Sequence, residues 1–372
     1  MISGKLLAEK SGMAALRYFF SLFMILVTWL ASIGSGLAFL AAYIPPEKSG
    51  LIAFAGLGMP AILFLNFLIL LYWAIQKRKW AFLPAIAILW NISFLLSIFQ
   101  FHSSKTASPD STSFRIATYN VLNFKDFSKQ NSQLPIADYL SEHSVGIVCF
   151  QEYWNNPKLP NDSLSKLLHL PFFTVKYLPG SPNTGSAIFS KYPIINSGQI
   201  PLGVTQNDAM WADIQIGTQT IRVINCHLQT TDFSQKRKEL SPTELYNNNL
   251  SQINNNFRDV LSTFRKNFKI RAQQADIVRH VIDTTSYPVI VCGDFNDTPA
   301  SYTYHHIKGR LSDGFRKCGN GYGYTFRGLR NLLRIDFILY SSSFYGLQYQ
   351  SPNLPWSDHK PVMMELELKP TY

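Results

Sequence analysis

The sequence predicts an α/β domain carried behind an apolar N-terminal third, and three observations predict it. Residues 1–101 are nearly all apolar while the remainder has a mixed composition, a contrast hidden in the mean hydropathy of +0.01. In the remainder, short apolar runs bounded by Gly, Pro, Asn and Asp read as strands, and between them lie stretches of helical spacing. The third observation is Val289-Ile290-Val291-Cys292-Gly293-Asp294-Phe295-Asn296-Asp297. Its apolar run reads as a strand covered on both faces. Gly293 permits a sharp exit, and Asp294 and Asn296 then stand two apart at a strand end, where ligands of α/β sheets gather.

The apolar third contains three segments, at about 14–44, 51–75 and 80–101, each long enough to cross a bilayer as a helix of ~20 residues. The first is much longer than a signal peptide's apolar run. Lys5, Lys10 and Arg17 precede the first segment, and Lys77-Arg78-Lys79 fills the loop between the second and third. The excess of positive charge puts the N-terminus and that loop in the cytoplasm. Three crossings then carry everything after residue 101 to the periplasmic or extracellular side. No ionisable residue sits deep in any segment, so these helices read as an anchor in a multi-pass cell-membrane protein rather than a transport path. Residues 102–113, rich in Ser and Thr, read as a linker to a domain over 114–372.

Along that domain, Phe114–Val121 reads as a strand that delivers Asn120. Pro135–Glu142 has helical spacing, and Val145–Phe150 is a second strand ending in Gln151-Glu152. A carboxylate directly after a buried strand is costly unless something cationic meets it, although a solvated Glu at a loop start is equally common. Ala209–Ile216 and Thr220–Leu228 form a predicted hairpin around Gly217, and the second strand closes on His227. Residues 231–256 are polar and Asn-rich, with Lys236-Arg237-Lys238. A helix over 257–282 carries Arg258, Arg265, Lys266, Lys269 and Arg271 on its polar side, either a solvated face or one turned toward anionic lipid. Leu332–Leu339 reads as a strand with Asp336 in its interior, where a carboxylate needs a partner. The chain then runs through Ser357-Asp358-His359 into an alternating strand over Met363–Leu368.

Net charge is +11, of which +5 falls in residues 1–102 and +6 in 103–372. That mild excess suits an anionic substrate or an anionic membrane surface, and equally a simple solubility role. The four cysteines have no zinc-site spacing. Cys149, Cys226 and Cys292 lie within strand-like runs and read as buried hydrophobes, which excludes a disulfide-framework protein.

Taken together, the strand ends offer Asn120, Glu152, His227, Asp294, Asn296, Asp336, Asp358 and His359. Carboxylates and amides suit a hard cation with oxygen ligands, Mg²⁺ or Mn²⁺. Histidines beside carboxylates suit proton transfer or charge stabilisation. A metal, an activated water and two imidazoles are what phosphoester hydrolysis requires.

Six motifs in this order resemble the endonuclease/exonuclease/phosphatase family: Thr118-Tyr119-Asn120, Gln151-Glu152, Asn225-Cys226-His227, Gly293-Asp294-Phe295-Asn296, Arg334-Ile335-Asp336-Phe337-Ile338 and Ser357-Asp358-His359. The resemblance covers about residues 114–369. It implies a four-layer α/β sandwich of two packed mixed sheets, deoxyribonuclease-like. It also implies roles: Glu152 as the principal Mg²⁺ ligand with Asn120 and Asp358 near the metal, Asp294 activating water with Asn296 beside it, His359 oriented by Asp336, and His227 stabilising charge on the phosphate. The stretch between His227 and Asp294 is longer than in compact members, so an insert over 229–270 is expected to cap or flank the site. The Trp and Arg flanking this motif in the inositol 5-phosphatases are absent here.

The expected function is a membrane-anchored, Mg²⁺-dependent phosphodiesterase, nuclease-like and acting outside the cytoplasm on a phosphoester substrate, nucleic acid or a phospholipid headgroup. The alternatives are a phospholipase C- or sphingomyelinase-like enzyme, a phosphatase of small phosphoesters, and a non-catalytic binding module tethered to the envelope. No protein partner is inferable from the residues.

Overall fold

The structure is a computed structural model that describes residues 2–103, 105–106, 112–126, 128, 130–203, 205, 207–231 and 250–370. Much of the 102–113 linker and of the Asn-rich insert, Lys236-Arg237-Lys238 included, lies outside the described residues.

The apolar third is a bundle of broken helices. α1 (Ile2–Leu40) contains one uninterrupted stretch, Ala15–Leu40, long and apolar enough to cross a membrane. The second predicted span is two helices, α2 (Gly50–Leu57) and α3 (Met59–Ile75), bent by 65°. The cause is Pro60 in the first turn of α3: it lacks an N–H, and its ring would collide with the carbonyl four residues back in a continuous helix. The third is likewise divided, at Asn91, into α4 (Phe82–Trp90), with a short turn before it, and α5 (Ile92–Ile98), which differ by 54° in direction. Residues 99–101, expected to end that span, are instead a strand, β1 (Phe99–Phe101). Buried amides tie the bundle together. Asn66 Nδ2 donates to the Ala31 carbonyl (3.1 Å), Asn91 Nδ2 to Ser35 Oγ (3.0 Å), and Trp73 Nε1 to Thr28 Oγ1 (2.8 Å). Such bonds fix which faces of these apolar helices meet, a specificity that apolar contact alone does not give.

The remaining elements follow in order: β2 (Thr112–Asn120), α6 (Gln133–Glu142), β3 (Ile147–Trp154), α7 (Asn161–Leu168), β4 (Phe172–Leu178), β5 (Ser181–Ser190), β6 (Ile194–Ile200), β7 (Asp208–Ile216), β8 (Gln219–His227), α8 (Leu250–Thr284), β9 (Val289–Asp294), α9 (Tyr302–Lys308), β10 (Ser312–Asp313), β11 (Asn320–Tyr322), β12 (Asp336–Tyr340), β13 (Phe344–Gln350) and β14 (Val362–Leu368). They form two six-stranded mixed sheets, β13-β14-β2-β3-β5-β4 and β10-β12-β9-β8-β7-β6. Among the described residues, only β2–β3 and β8–β9 run parallel in these sheets.

Alternation of apolar side chains sends every second residue of both sheets into one shared core, with Ile116, Cys149 and Ile188 meeting Ala212, Val223 and Cys292. The opposite residues pack under helices. α6 and α7 cover one sheet through Ile136, Leu140 and Leu164, and α8 and α9 cover the other through Ala275, Val278 and Ile307. The two packed mixed sheets are those the sequence predicted. All four cysteines are free and buried.

Two strand boundaries and the surroundings of one residue differ from expectation. β3 continues past Phe150 to Trp154 across a bulge. β12 starts at Asp336 rather than at 332, so Asp336 opens the strand instead of lying within it. The preceding residues are diverted because Phe326 bridges Leu333 and Thr325 Oγ1 accepts the N–H groups of Ile335 (3.0 Å) and Asp336 (3.1 Å). Arg271, expected on the polar face of α8, is fully buried: Nε reaches Asp297 Oδ2 at 2.9 Å, and Nη1 donates to the Gln229 carbonyl at 2.6 Å.

The apolar third is docked on the α/β domain, not merely linked to it. β1 pairs antiparallel with β11. Phe54 on α2 packs against Phe264 and Phe268 on α8, and Met59 and Ala38 pack with Ala300. Arg334, buried beside Asp313 at 2.5 Å, donates through Nη1 to the Ser97 carbonyl (2.7 Å). α8 therefore has two apolar faces in sequence, its first half on α2 and its second half on the sheet.

Candidate active site

Strand register builds the site. Asp208 of β7 stands opposite His227 of β8, His227 beside Asp294 of β9, and Asp294 opposite Asp336 of β12. Four polar side chains thus form one row across the end of a sheet whose interior is apolar. The row depends on Gly293. Its φ is +129°, and a Cβ there would lie 1.9 Å from the Cys226 carbonyl oxygen on β8, so no other residue allows this close approach. The second sheet faces the row with Asn120 at the end of β2 and Glu152 on the β3 bulge. Glu152 has φ +49°, a left-handed backbone that redirects its side chain out of the pleat and toward the row.

The eight residues predicted from the sequence meet at this one place. Glu152, His227, Asp294, Asn296, Asp358 and His359 line a polar cavity of about 680 Å³. Asn120 and Asp336 stand behind it. Asn120 Nδ2 donates to Glu152 Oε1 and to Asp294 Oδ2, both at 3.1 Å, and its Oδ1 accepts from the Leu122 N–H at 3.2 Å. Asp294 Oδ1 accepts the Asn296 N–H (2.8 Å), and Asn296 Nδ2 reaches Asp294 Oδ2 (3.2 Å) and the Leu228 carbonyl (3.0 Å). His359 Nδ1 lies 3.0 Å from Asp336 Oδ2, and its Nε2 points to Asp294 Oδ2 at 3.7 Å. His227 Nε2 stands 3.7 Å from Glu152 and 4.0 Å from Asp294. Ser357 Oγ donates to the Asn120 carbonyl (2.7 Å) and accepts the His359 N–H (3.2 Å), which joins the last motif to the first.

The electrostatics follow from burial. Desolvation raises the Asp294 carboxyl to about 6, with His359 and His227 opposing and Asp336 adding to the rise. Desolvation also raises Glu152, against the lowering effect of its bond from Asn120. Burial alone would lower His359, but the charges of Asp336 and Asp294 outweigh it and hold the imidazole well above its ordinary value. The pocket thus holds an imidazolium on a carboxylate, next to carboxyl groups short of positive charge. Those carboxylates fit a divalent cation, which would supply the missing charge through hard oxygen ligands. Asp294, Asp336 and His359 also bring one ligand atom each within 4.8 Å of one another. The Nδ1 of His359 is already committed to Asp336, which leaves its Nε2 as the ring nitrogen directed at Asp294.

Three residues here escaped the sequence reading. Asp208 is buried, accepts from Ser186 Oγ (2.8 Å), and has its carboxyl raised by desolvation despite His227. A signal for it existed: a tight hairpin at Gly217 fixes the register, so the partner of His227 had to be residue 208. Arg271 locks Asp297, the residue after Asn296, into place. Phe326 packs its ring 4.9 Å from that of His359. Neither Arg271 nor Phe326 had a local signal, because each acts through a contact distant in sequence.

Residues 117–359 match the model of the family described as Endonuclease/Exonuclease/phosphatase family, and residues 19–98 match a domain described as of unknown function. No curated protein matches the chain. Among solved structures, an endonuclease/exonuclease/phosphatase family protein from Bacteroides thetaiotaomicron superposes with a TM-score of 0.50 at 20% identity, covering 70% of this chain and 99% of the other. A functionally unknown conserved protein from Enterococcus faecalis also gives a TM-score of 0.50, at 18% identity over 69% of this chain and 100% of the other. These likenesses show a shared fold.

Proposed function

The chain belongs to the endonuclease/exonuclease/phosphatase family, a family of phosphoester hydrolases that generally depend on a divalent metal, and on that premise we propose that it is a membrane-anchored, Mg²⁺-dependent phosphodiesterase acting outside the cytoplasm. The observation that carries this reading is the row His227, Asp294, Asp336 with His359 and Glu152 converging on it from the other side of the cavity.

Glu152, with Asp358 and Asn120 beside it, is the proposed donor set for Mg²⁺, whose charge when bound offsets that developing on the phosphoryl oxygens. Asp294 accepts the proton of the attacking water. Its two oxygens are held by Asn296 and Asn120, so the receiving lone pair has a fixed direction. The water oxygen bonds to phosphorus as the bond to the leaving oxygen breaks; the leaving oxygen takes a proton from solvent, and Asp294 afterwards releases to solvent the proton it accepted. His359 is kept cationic and oriented by Asp336, and its Nε2 is free to donate to a phosphoryl oxygen. His227 stabilises the same charge from the opposite wall.

The topology of the anchor supports an exported catalytic domain. The C-terminal end of α1, the start of α3 and the end of α5 all meet the domain, through Ala38, Met59 and Ser97. The Lys77–Lys79 loop joins the far ends of α3 and α4. If Ala15–Leu40 and each bent pair cross the bilayer, basic residues and catalytic domain fall on opposite sides, as the positive-inside rule requires. α2, turned by 65°, would then lie along the interface.

Hydrolysis of bis(p-nitrophenyl) phosphate by the full-length protein, with Mg²⁺ and with EDTA, tests the reaction. Loss of activity in Asp294→Ala and in His359→Ala is expected. Full activity in both, with unchanged circular dichroism, would refute the assignment. A reporter fused after residue 110 that works only in the cytoplasm would refute the orientation.

A further inference from the structure

A second cavity, of about 630 Å³, opens beside the first, and its exposed lining is almost wholly apolar. Its outer wall belongs to the anchor: Leu57 at the end of α2, and Gly58, Pro60, Ala61 and Phe64 at the start of α3. Its inner wall belongs to the catalytic half, chiefly Leu329, Leu332, Leu333 and Ile335. Thr230, Asn296 and Phe326 line both this cavity and the polar one, so the two spaces share a partition, and Asn296 is the neighbour of the proposed water-activating carboxylate.

We infer that this cavity takes the hydrocarbon chain of a bilayer-resident phosphoester lipid while its phosphoester sits in the polar cavity. The inference deepens the phosphodiesterase reading and rests on it. Three features argue for that occupant. The cavity opens where α2 and α3 part, at the bend that turns α2 onto α8. The wall it presents is the part of the anchor that would stand at the membrane interface, with Phe64 63% exposed. Its charged group, Arg271, is already matched by Asp297 and the Gln229 carbonyl, so the cavity offers no free charge to hold a second polar ligand. A polar pocket that adjoins an apolar one, with Thr230, Asn296 and Phe326 common to both walls, fits an amphiphile better than a nucleic acid. A polynucleotide would instead need a phosphate-binding track extending along the surface.

The test uses the full-length protein in amphipol, free of phospholipid. The probes are methyl, hexyl and dodecyl p-nitrophenyl phosphate, read by nitrophenolate release. In parallel, binding of methylphosphonate and dodecylphosphonate is measured by calorimetry, which needs no turnover. Each buried methylene tightens binding by up to about fourfold, and a net gain equal to about three or four of the added methylenes is expected to raise kcat/KM for the dodecyl ester over that for the methyl ester by on the order of 100-fold. Long chains also partition into any amphipathic belt, so the comparison with variants carries the conclusion. Ala61→Trp, which fills the cavity, is expected to cut the dodecyl-to-methyl ratio at least about tenfold, and Leu332→Asp, at a half-exposed position that tolerates charge, to do the same. Leu65→Trp, on the same helix but outside the cavity, is expected to keep the ratio. Methyl ester turnover with an identical ratio in all four proteins would overturn the chain site and leave the hydrolase standing. Tight dodecylphosphonate binding lost in Ala61→Trp, with no ester cleaved, would keep the chain site and overturn the hydrolase. Equal binding of the two phosphonates would overturn the chain site by itself.

Discussion

The two adjoining cavities have similar volumes, about 680 and 630 Å³, and opposite chemistry. One is walled by strand ends, where backbone register lines up titratable groups. The other is walled on one side by a helix bend and on the other by the loop before β12. The first could be assembled by the two sheets alone. The second exists only while the apolar third is docked. The difference teaches that the apolar third does more than precede the α/β domain: it supplies one wall of a cavity whose other wall belongs to that domain.

The largest expected effects lie in the polar cavity. Asp294→Ala is expected to lower kcat/KM at least about 10³-fold, in line with losing an acid–base group, and with little change in KM for any chain length. EDTA is expected to bring wild-type activity to background, and Mg²⁺ to restore it. Persistence of activity after exhaustive chelation would break the parallel between the carboxylates and a cation site. Asp336→Asn, which leaves His359 in place but removes the charge that orients it, is expected to cost about 10²-fold in kcat.

The docking itself can be broken at Arg334. Burial alone would raise the Asp313 carboxyl, but Arg334 holds it below its ordinary range. Arg334→Met leaves that carboxylate buried without its partner and removes the bond to Ser97, an expected loss of about 3–5 kcal/mol in chemical denaturation. The sign with pH follows from the depressed value. The pair's contribution is complete above about pH 4, the unfolded range for Asp, and fades as pH falls through the lower folded value. Acid unfolding of Arg334→Met should therefore begin at higher pH than in wild type. An unchanged acid midpoint would show that the docking does not depend on this pair. The smallest expected effect is at the partition: Phe326→Ala merges the cavities and is expected to lower the dodecyl-to-methyl ratio only about two- to fivefold.

Much of the site was legible because its residues close strands. Asn120, His227 and Asp294 each end an apolar run, and a short run with period-two burial marks its own terminus. Glu152 was legible as a polar residue after Phe150, but the bulge that aims it was not, since nothing local distinguishes a loop start from a left-handed residue within a strand. Asp336 drew notice as a carboxylate in an apolar stretch, and the assumption that it lay inside the strand failed because Thr325, eleven residues upstream, captures the preceding N–H groups. Arg271 looked like one more cation on a basic helix. Only its pairing with Asp297, 26 residues away, shows it as a buried strut.

Periodicity and composition by themselves determined the apolar third, the succession of strands and helices, and the kind of chemistry the strand ends can perform, because these depend on residues near one another in the chain. Tertiary structure decided the rest. It decided that two of the three apolar stretches are bent, that α2 turns back onto α8, and that an apolar cavity meets a polar one at Phe326. Those features depend on which surfaces touch across hundreds of residues, and a helix of uniform apolarity carries no mark of whether a given face will meet lipid, another helix or the wall of a site.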